Sequence, residues 1–531
     1  MKLILNGHVV PLADDAPQQT FDGRVLIEDD RVVQAQQASD ALPAEFQDAR
    51  QVDLGDAFIY PGFIDLHSHI AYNTLPLWSH PGESRPYLNR NVWPRRSSYG
   101  PEVSWPAYML SRGAPEALLA YVQVRALAGG TTTLQGWPSY NRRSTNQLVR
   151  SADDEKVENS TDRVRTSVMT KRTDELGPYR DALQTGSFIY HCAEGQPDST
   201  VVNEFEDLAN ANSLRQRLIA IHCNALDASH FQQWRQRAQV AGDDTPGTVV
   251  WSPFSNLWLY GETTPIPDAL ENQLNVTIGT DWGPSGTKNL LGELKVARLV
   301  SDDRGWSLSN FELVSMVTRN PGAAMSLCWS EIGGAPLPVG RLQPLALADI
   351  AVVARREDDP WDNLIAAREE DVSLVLVGGE PRYGSRDLMR ACGVTRTTSV
   401  AKGGLSRHTV LTHPEDKDKE VEDRRRWYFK NVLEALDAVV EDPRSSVDLL
   451  SAPTATSDPV AATRAGPAVD RLQIELDMPG EFGQAAGKPP DNAEVTVPAI
   501  ESLRHDRRWR ASLTDRGFHN GLLDGLDQFY A

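Results

Sequence analysis

The chain has 531 residues and a formal net charge of −20 at pH 7, with a pI near 5.0. This length exceeds one ordinary domain, and such acidity argues against nucleic acid or an anionic membrane as a partner held by bulk electrostatics. Four cysteines without a Cys-x-x-Cys pair exclude a disulfide scaffold and fit a reducing compartment. No apolar run suits a signal peptide or a membrane span, so we expect a cytoplasmic protein.

The first 60 residues contain three β-rich runs, KLILNGHVVPL, RVLIEDDRVVQA and QVDLGDAFIY. Asn-Gly, Asp-Asp and Gly-Asp turn signals interrupt them. This pattern predicts a small β-domain ahead of the main body of the chain.

The stretch PGFIDLHSH, Pro61 to His69, is typical of a turn that leads into a short buried strand. His67 and His69 are two residues apart, so their side chains lie on one face of that strand. Two imidazoles placed in this way can bind one cation. Taken alone, such a pair is more often two hydrogen-bonded core histidines, and the rest of the chain must decide.

A long segment rich in Pro, Arg, Asn and aromatic residues follows this strand, from about residue 71 to residue 106. A loop of this length inside a compact domain usually has a functional role or is disordered. Several residues of this loop are candidates to line a substrate pocket, although they could equally well serve only to pack the loop. They are Tyr72, Asn73, Trp78, Asn89, Arg90 and Trp93. We interpret His80 in this loop as a bystander, because no other ligand type is spaced with it.

Alternating helix and strand patterns come next. Pro115 to Gly130 has helical period and ends at a Gly pair, and Thr131 to Pro138 is typical of a strand with Gln135 at its tip. Residues 150–163 are charged and polar, which favours an exposed loop or helix. VRTSVMT, Val164 to Thr170, is the best candidate for a fourth strand.

Three later runs, FIYHCAEG, LIAIHCN and NVTIGTDWGPSG, each end an apolar stretch in a polar residue, namely His191, His222 and Asp281. A parallel β/α barrel adds a strand about every 30 to 40 residues and places its active site at the strand C-terminal ends. The intervals from His67 to His191, from there to His222 and on to Asp281 are 124, 31 and 59 residues. These positions therefore fit strands one, five, six and eight, with VVWSPFSN supplying strand seven.

As a set, PGFIDLHSH, HCAE, the strand-six His, SPFSN and GTD resemble the amidohydrolase superfamily, especially its cytosine deaminase, guanine deaminase and chlorohydrolase branch. The resemblance covers roughly residues 1 to 385. It implies an α/β fold with a TIM-like (β/α)8 barrel at 61–331 and a β-sandwich domain built from both flanks, 1–60 and 332–385. A C-terminal extension, 386–531, should contain a helix near 417–441 and flexible linkers.

The resemblance also implies the chemistry of the site. It assigns four metal ligands, which are His67, His69, His191 and Asp281. One divalent metal is expected, with Zn²⁺ best suited to such ligands and Fe²⁺ still open. Two-metal members carry a carbamylated lysine on strand four, whereas Lys171 falls just past that strand here.

Glu194, His222 and Asp281 correspond to the catalytic residues of the family. Glu194 matches the proton shuttle, His222 faces the substrate oxygen or the attacking water, and Asp281 both touches the metal and accepts a proton. Asp65 is expected to orient the first strand, although a purely structural role is equally compatible. Ser255 belongs to the SPFSN element near strand seven.

The substrate is the least defined expectation. Candidate binding residues are Tyr72, Asn73, Gln135, Asn256 and Trp282. Gly195 and Trp282 depart from the family pattern, in which Thr and Gly usually stand, and this leaves the substrate in doubt. We expect hydrolysis of a non-peptide carbon–nitrogen bond in a small molecule, as in deaminases. Ring opening of a cyclic amide by the same site, an inactive scaffold barrel and a homo-oligomer stay open.

Overall fold

The computed structural model describes residues 1–136, 146–153, 164–327, 337–400, 406–416, 419–420, 423–442, 497–498, 500 and 502–530. The strands are, in chain order, β1 (Lys2–Val9), β2 (Phe21–Glu28), β3 (Arg31–Gln37), β4 (Arg50–Pro61), β5 (Phe63–Asp65), β6 (Thr131–Leu134), β7 (Arg150–Ser151), β8 (Val164–Ser167), β9 (Ser187–Cys192), β10 (Leu218–His222), β11 (Thr248–Trp251), β12 (Asn275–Ile278), β13 (Ile350–Val353), β14 (Val372–Val377), β15 (Glu380–Gly384), β16 (Thr398–Ser399) and β17 (His408–Thr409).

The helices are α1 (Trp105–Gly113), α2 (Pro115–Ala128), α3 (Gly177–Ala182), α4 (Asn203–Asn210), α5 (Ala228–Val240), α6 (Pro253–Tyr260), α7 (Ile266–Glu271), α8 (Leu290–Asp303), α9 (Asn310–Ser315), α10 (Arg319–Ser326), α11 (Pro360–Ala366), α12 (Arg386–Ala391), α13 (Phe429–Glu441), α14 (Arg507–Asp515) and α15 (Asp527–Tyr530). No helix in the described ranges is both long and apolar enough to cross a membrane.

Strands from both flanks of the chain join one nine-stranded sheet, in the order β16-β17-β15-β14-β13-β4-β1-β2-β3. The junction is the antiparallel pairing of β13 with β4, in which Ile350 lies opposite Pro61. Strand β13 is buried along its whole length and β4 is buried over its last five residues, so the middle of the sheet is covered on both faces. The division of this sheet into a two-layer sandwich and the boundaries 1–60, 61–331, 332–385 and 386–531 stay predictions.

The middle of the chain forms two parallel sheets, β5-β6-β7 and β12-β11-β10-β9-β8. Every neighbouring pair is parallel, and strands that follow one another along the chain lie side by side. Residues 150–151 belong to this arrangement as β7, so the prediction of a loop or helix there was wrong at its start. Residues 137–145 and 154–163, including the end of the predicted strand at Thr131–Pro138, lie outside the described ranges.

Two short helices, α9 and α10, follow α8, with a break between Ser315 and Arg319. Met316 and Val317 direct their carbonyls to Ile278 N and Ile64 N, at 2.9 Å each, and so anchor β12 and β5. Pro321 has no N–H to continue a helix across that break. The helix is therefore interrupted where the carbonyls of Met316 and Val317 bond to β12 and β5 instead of to the next helical turn.

The predicted helix near 417–441 begins only at Phe429 in the structure. Trp427 N bonds to Leu411 O, Arg426 forms an antiparallel bridge with Thr412, and Phe429 N is capped by Thr398 Oγ1 at 2.9 Å, so residues 426–427 are extended rather than helical. The predicted linkers of residues 443–496 lie outside the described ranges. Helix α14 was not predicted.

Candidate active site

The His67–His69 pair begins where β5 ends, and a buried carboxylate fixes its main chain. Asp65 accepts hydrogen bonds from His67 N at 3.1 Å and from Thr280 N and Oγ1 at 3.2 and 2.6 Å. Burial raises the pKa of Asp65 to about 7, although these hydrogen bonds oppose the rise. Asp65 thus joins the end of β5 to the turn after β12, which is the orienting role expected of it.

Four ligand atoms converge beside this turn. His67 Nε2 lies 3.2 Å from His69 Nε2 and 3.1 Å from His191 Nε2, and the last two are 3.2 Å apart. Asp281 Oδ1 lies 3.2 and 3.3 Å from the Nε2 atoms of His67 and His69. A tetrahedral zinc site with bonds of about 2.0–2.1 Å has ligand–ligand edges of about 3.3 Å. The three histidine nitrogens form a triangle with edges close to this length, and Asp281 Oδ1 lies at a similar distance from two of them, so these atoms could hold a cation.

The imidazoles are in the state that metal binding requires. Burial, followed by the neighbouring histidines, lowers the pKa of His67 well below its usual value, and the same causes lower the pKa of His191. When neutral rings place their Nε2 atoms this close, the lone pairs on those atoms repel each other. A bound cation would remove this repulsion. His67 Nδ1 lies 2.7 Å from Ser252 Oγ, so its proton donates to that hydroxyl and Nε2 is left free to bind.

His222 and Glu194 face each other across the open side of this cluster. His222 Nε2 lies 3.5 Å from Glu194 Oε2 and 4.0 Å from Asp281 Oδ2. Its Nδ1 lies 3.1 Å from Asn256 Nδ2. Burial lowers the pKa of His222 to about 4, so the ring has one proton at neutral pH, and the two carboxylates favour that proton on Nε2.

The chain takes unusual backbone angles where these side chains turn inward. Ala193, His222 and Asp281 have φ values of +53°, +68° and +59°. Non-glycine residues in this left-handed region are strained by roughly 1–2 kcal/mol each. These three positions lie at or just beyond the ends of β9, β10 and β12, where the chain turns toward the pocket.

A buried ion pair supports the strained turn after His191. Arg90 donates to His191 O at 3.0 Å and to Glu204 Oε1 at 2.7 Å. Glu204 also accepts from Ala193 N at 2.9 Å and from Thr170 Oγ1 at 2.6 Å. All four of these hydrogen bonds are made within the protein. The Arg90–Glu204 pair therefore holds the segment that carries Glu194 and His191, a candidate metal ligand.

The pocket contains about 400 Å³ of empty space above the ligand cluster. Its wall is formed by His69, Tyr72, Arg90, Trp93, Val168, His191, Glu194, His222, Asp281 and Trp282. The ring of Trp282 lies 5.0 Å from that of Trp93 and 5.3 Å from that of Tyr72, which makes one side of the pocket aromatic. The sequence prediction placed Tyr72 and Trp282 at the substrate, and both lie in this wall.

Other predicted residues lie behind the wall. Asn73 donates to Ser68 Oγ at 2.8 Å, Gln135 accepts from Ser68 N at 3.2 Å, and Asn256 contacts His222. Ser255 is buried and its hydroxyl lies 2.9 Å from that of Ser285. These side chains support the loops around the site, and direct substrate contact by Asn73, Gln135 or Asn256 stays a prediction.

Two residues interpreted as bystanders lie apart from the ligand cluster. The ammonium of Lys171 lies 5.7 Å from the centre of the Tyr179 ring, and His80 Nδ1 lies 3.0 Å from Ser98 Oγ. Sequence reasoning missed the supporting roles of Glu204, Ser252 and Tyr260. Ser252 opens the SPFSN element, but nothing in that element indicates its contact with His67. Glu204 and Tyr260 belong to no motif, because they contact the site through parts of the chain that are distant in sequence.

No family model matches the chain. Among curated proteins, it is 25% identical over 398 residues to the 5-methylthioadenosine/S-adenosylhomocysteine deaminase of Moorella thermoacetica, covering 67% of this chain and 89% of that protein. It is 24% identical over 421 residues to the deaminase of the same name from Pyrococcus abyssi, covering 72% and 93%.

Solved structures give the same picture at lower identity. An adenosine deaminase from Xanthomonas campestris with bound zinc is 18% identical, has a TM-score of 0.54 and covers 72% of this chain and 92% of its own. Guanine deaminase from C. acetobutylicum with bound guanine is 16% identical, with a TM-score of 0.52 and coverage of 72% and 100%. A zinc complex of atrazine chlorohydrolase from Arthrobacter aurescens is 16% identical, with a TM-score of 0.52 and coverage of 71% and 94%.

The resemblance to deaminases that the sequence motifs indicate is confirmed by the curated relatives. The mixed α/β architecture with parallel sheets is the fold that these structures share with the chain. More than a quarter of this chain lies outside each of these matches.

Proposed function

We propose that the chain is a metal-dependent hydrolase that deaminates a small heteroaromatic amine. The observation that supports this most strongly is the convergence of His67, His69, His191 and Asp281, with Glu194 and His222 beside them. An ordinary core would not gather these groups, because they cost desolvation free energy and serve no packing purpose.

A bound divalent cation would supply the Lewis acidity that makes water a nucleophile at neutral pH. Glu194 takes a proton from that water and gives it to the departing nitrogen. His222 donates its Nε2 proton toward the water or the developing charge. The carbon–oxygen bond forms first, and the carbon–nitrogen bond breaks once the nitrogen has received its proton; water supplies the oxygen and protons, and ammonia leaves.

The aromatic wall supports a flat substrate. Tyr72, Trp93 and Trp282 offer ring surface, and His69, Glu194 and His222 offer polar atoms at the bottom of the pocket. Such a wall favours stacking with a heteroaromatic ring. The curated relatives are deaminases by name, which supports deamination over ring opening of a cyclic amide by the same residues.

One metal ion is proposed, with zinc as its identity. Neighbouring structures hold zinc, and the donor set is rich in imidazole. Lys171, the candidate for a bridging carbamate, is held against Tyr179 instead.

We also propose that the eight parallel strands β5 to β12 close into a (β/α)8 barrel. Their chain order supports closure. So does the hydrogen bond of 2.9 Å from Asp281 N to His67 O, which joins the ends of the first and last of these strands. A parallel bridge between Ser68 and Asp281 lies at the same place.

We infer a cytoplasmic location and a small-molecule substrate, without nucleic acid or a membrane as partner. The charge of −20 supports this, as do the free thiols of Cys192, Cys223 and Cys392. A homo-oligomer stays open.

Purified protein supplied with zinc tests the proposal. Aminopurines, aminopyrimidines, aminotriazines, hydantoins and acyl amides are offered, and products are read by ammonia release and mass. We expect replacement of NH₂ by OH on at least one heteroaromatic ring. Gain of one water without ammonia would indicate amide or ring opening instead.

Two variants identify the residues responsible. His67→Ala should lose the metal and the activity together, whereas Glu194→Gln should keep the metal and lose kcat by about 100-fold or more. Full activity in Glu194→Gln, or no activity on any substrate at one zinc per chain, would leave the inactive scaffold as the better interpretation.

A further inference from the structure

Glu194 is held by a chain of two hydrogen bonds that runs from Trp93 through Tyr260. Tyr260 Oη lies 2.6 Å from Glu194 Oε1, and Trp93 Nε1 lies 3.0 Å from Tyr260 Oη. Tyr260 is only 1% exposed and Glu194 4% exposed. Tyr260 is not among the residues that line the described pocket, and its hydroxyl reaches the site through Glu194.

The direction of this chain is fixed by chemistry. An indole nitrogen can only donate, so Trp93 must give its proton to the Tyr260 oxygen. The Tyr260 hydroxyl proton must then point elsewhere, and the acceptor within reach is Glu194 Oε1. Burial raises the pKa of Tyr260 well above its usual value, so the hydroxyl keeps this proton at any working pH.

The two carboxylate oxygens of Glu194 are therefore not equivalent. Oε1 always accepts from Tyr260, whereas Oε2 faces His222 Nε2 at 3.5 Å on the pocket side. A proton that Glu194 picks up cannot rest on Oε1 without meeting the hydroxyl proton of Tyr260. It must rest on Oε2, where the leaving nitrogen can collect it.

We propose that Tyr260, itself held by Trp93, is a positioning residue that reserves Glu194 Oε1 and so directs the transferable proton to Oε2. This inference rests on the proposed function, because it gives Tyr260 a role in the proton transfer assigned to Glu194. It adds a residue that sequence patterns do not mark, since Tyr260 lies 66 positions from its partner.

The first test is kinetic. Tyr260→Phe in the zinc-loaded enzyme should lower kcat by at least about tenfold, while KM changes less than about threefold and one metal per chain is retained. Tyr60→Phe is the matched control. The buried Tyr60 hydroxyl donates a hydrogen bond of 2.6 Å to Pro360 O, and neither residue belongs to the site. This control variant should lower the melting temperature and leave kcat near that of the wild type. A wild-type kcat in Tyr260→Phe, or loss of metal in that variant, would overturn the proposal.

The second test needs no turnover. Unfolding equilibrium constants are measured for wild type, Tyr260→Phe, Glu194→Met and the double variant, all without metal. We expect the two single effects to be non-additive by at least about tenfold, because each single variant leaves a buried polar partner unpaired. Additive effects would refute the contact even if the enzyme is active. Strong coupling in a protein that hydrolyses nothing would instead reject the proposed function and leave the contact in place.

Discussion

At the scale of single residues, His222 is the position at which a role in catalysis can be tested separately from metal binding. Its Nε2 faces Glu194 and Asp281, while its Nδ1 is held by Asn256. The residue belongs to the strand-end set that the spacing of HCAE, IHCN and GTD predicts. Its orientation could not be predicted, because it depends on φ of +68° and on an amide 34 positions away.

We expect His222→Asn to retain most of its zinc and to lose kcat by about 100-fold, because it removes a proton donor to the reacting atoms without removing a ligand. Metal analysis alongside steady-state kinetics measures both. Lys171→Ala is the matched control and should be close to silent. A variant of His222 that loses its zinc would make this residue a ligand, and two cations about 3.5 Å apart would make the site binuclear.

At the scale of elements, helix α6 connects the site to the C-terminal segment. Asn256 and Tyr260 lie one turn apart on the face toward His222 and Glu194. Phe254 and Trp258 lie on the other face, where Phe254 meets the ring of Trp509 at 5.5 Å and Trp258 stacks on His519 at 6.2 Å. The apolar pattern of SPFSNLWLY indicates burial but not these partners, because they come from beyond the part of the chain covered by the resemblance.

Gly517 is the closest point of that contact. Its φ is +84°, and a methyl group there would lie 2.4 Å from the Trp258 ring. We expect Gly517→Ala to lower the free energy of unfolding by about 1 kcal/mol for the backbone and a further 1–3 kcal/mol for the clash, and to lower kcat as α6 shifts.

Gly242 is a matched control, because it has the same φ of +84° and open space around it. Gly242→Ala should show only the backbone cost and an unchanged kcat. Denaturant unfolding and kinetics on both variants make the comparison. Equal losses in the two variants would mean that the C-terminal segment does not hold α6 in place.

Helix α8 contains a buried carboxyl whose titration should be visible in stability. Glu293 accepts from Phe254 N, Thr287 N and Thr287 Oγ1, and burial nevertheless raises its pKa from the usual 4.5 to about 8. The folded state then binds more protons than the unfolded state between these two pH values. Its contribution to stability is present below pH 4.5 and is lost as pH rises through about 8.

Glu293→Gln should remove this dependence, because the amide does not ionise. We expect the wild type to lose about a few kcal/mol relative to the variant between pH 5 and pH 8. Denaturant unfolding at several pH values measures the difference, with exposed Glu271→Gln as the control substitution. Parallel stability curves for wild type and Glu293→Gln would show that the carboxyl is already ionised in the folded protein.

At the scale of the whole molecule, the strand-end residues follow from local sequence patterns, whereas the joining of both flanks into one sheet was expected only from the family resemblance. PGFIDLHSH, HCAE and GTD report a local strand and its polar end, so spacing alone places them. Local patterns do not predict where the helices are interrupted or where they begin. Residues 310–327 break because Met316 and Val317 bond to distant strands, and α13 starts late because Thr398 caps it.

The ligands also come from both parallel sheets. His67 and His69 follow β5 in the three-stranded sheet, while His191 lies in β9 and Asp281 follows β12 in the five-stranded sheet. A bound cation would therefore link the two sheets. Binding that occurs only in the folded state stabilises it, by about 2.7 kcal/mol at a free metal concentration of 100 times Kd.

Chelation should accordingly lower the melting temperature by several degrees and raise hydrogen exchange at the ends of β5 and β9 before it does so in the nine-stranded sheet. Calorimetry and exchange mass spectrometry with and without chelator measure this. His67→Ala is the control, because its melting temperature should no longer respond to chelator. An equal rise in exchange across all three sheets would mean that the metal stabilises the fold as a whole rather than by joining two of its sheets.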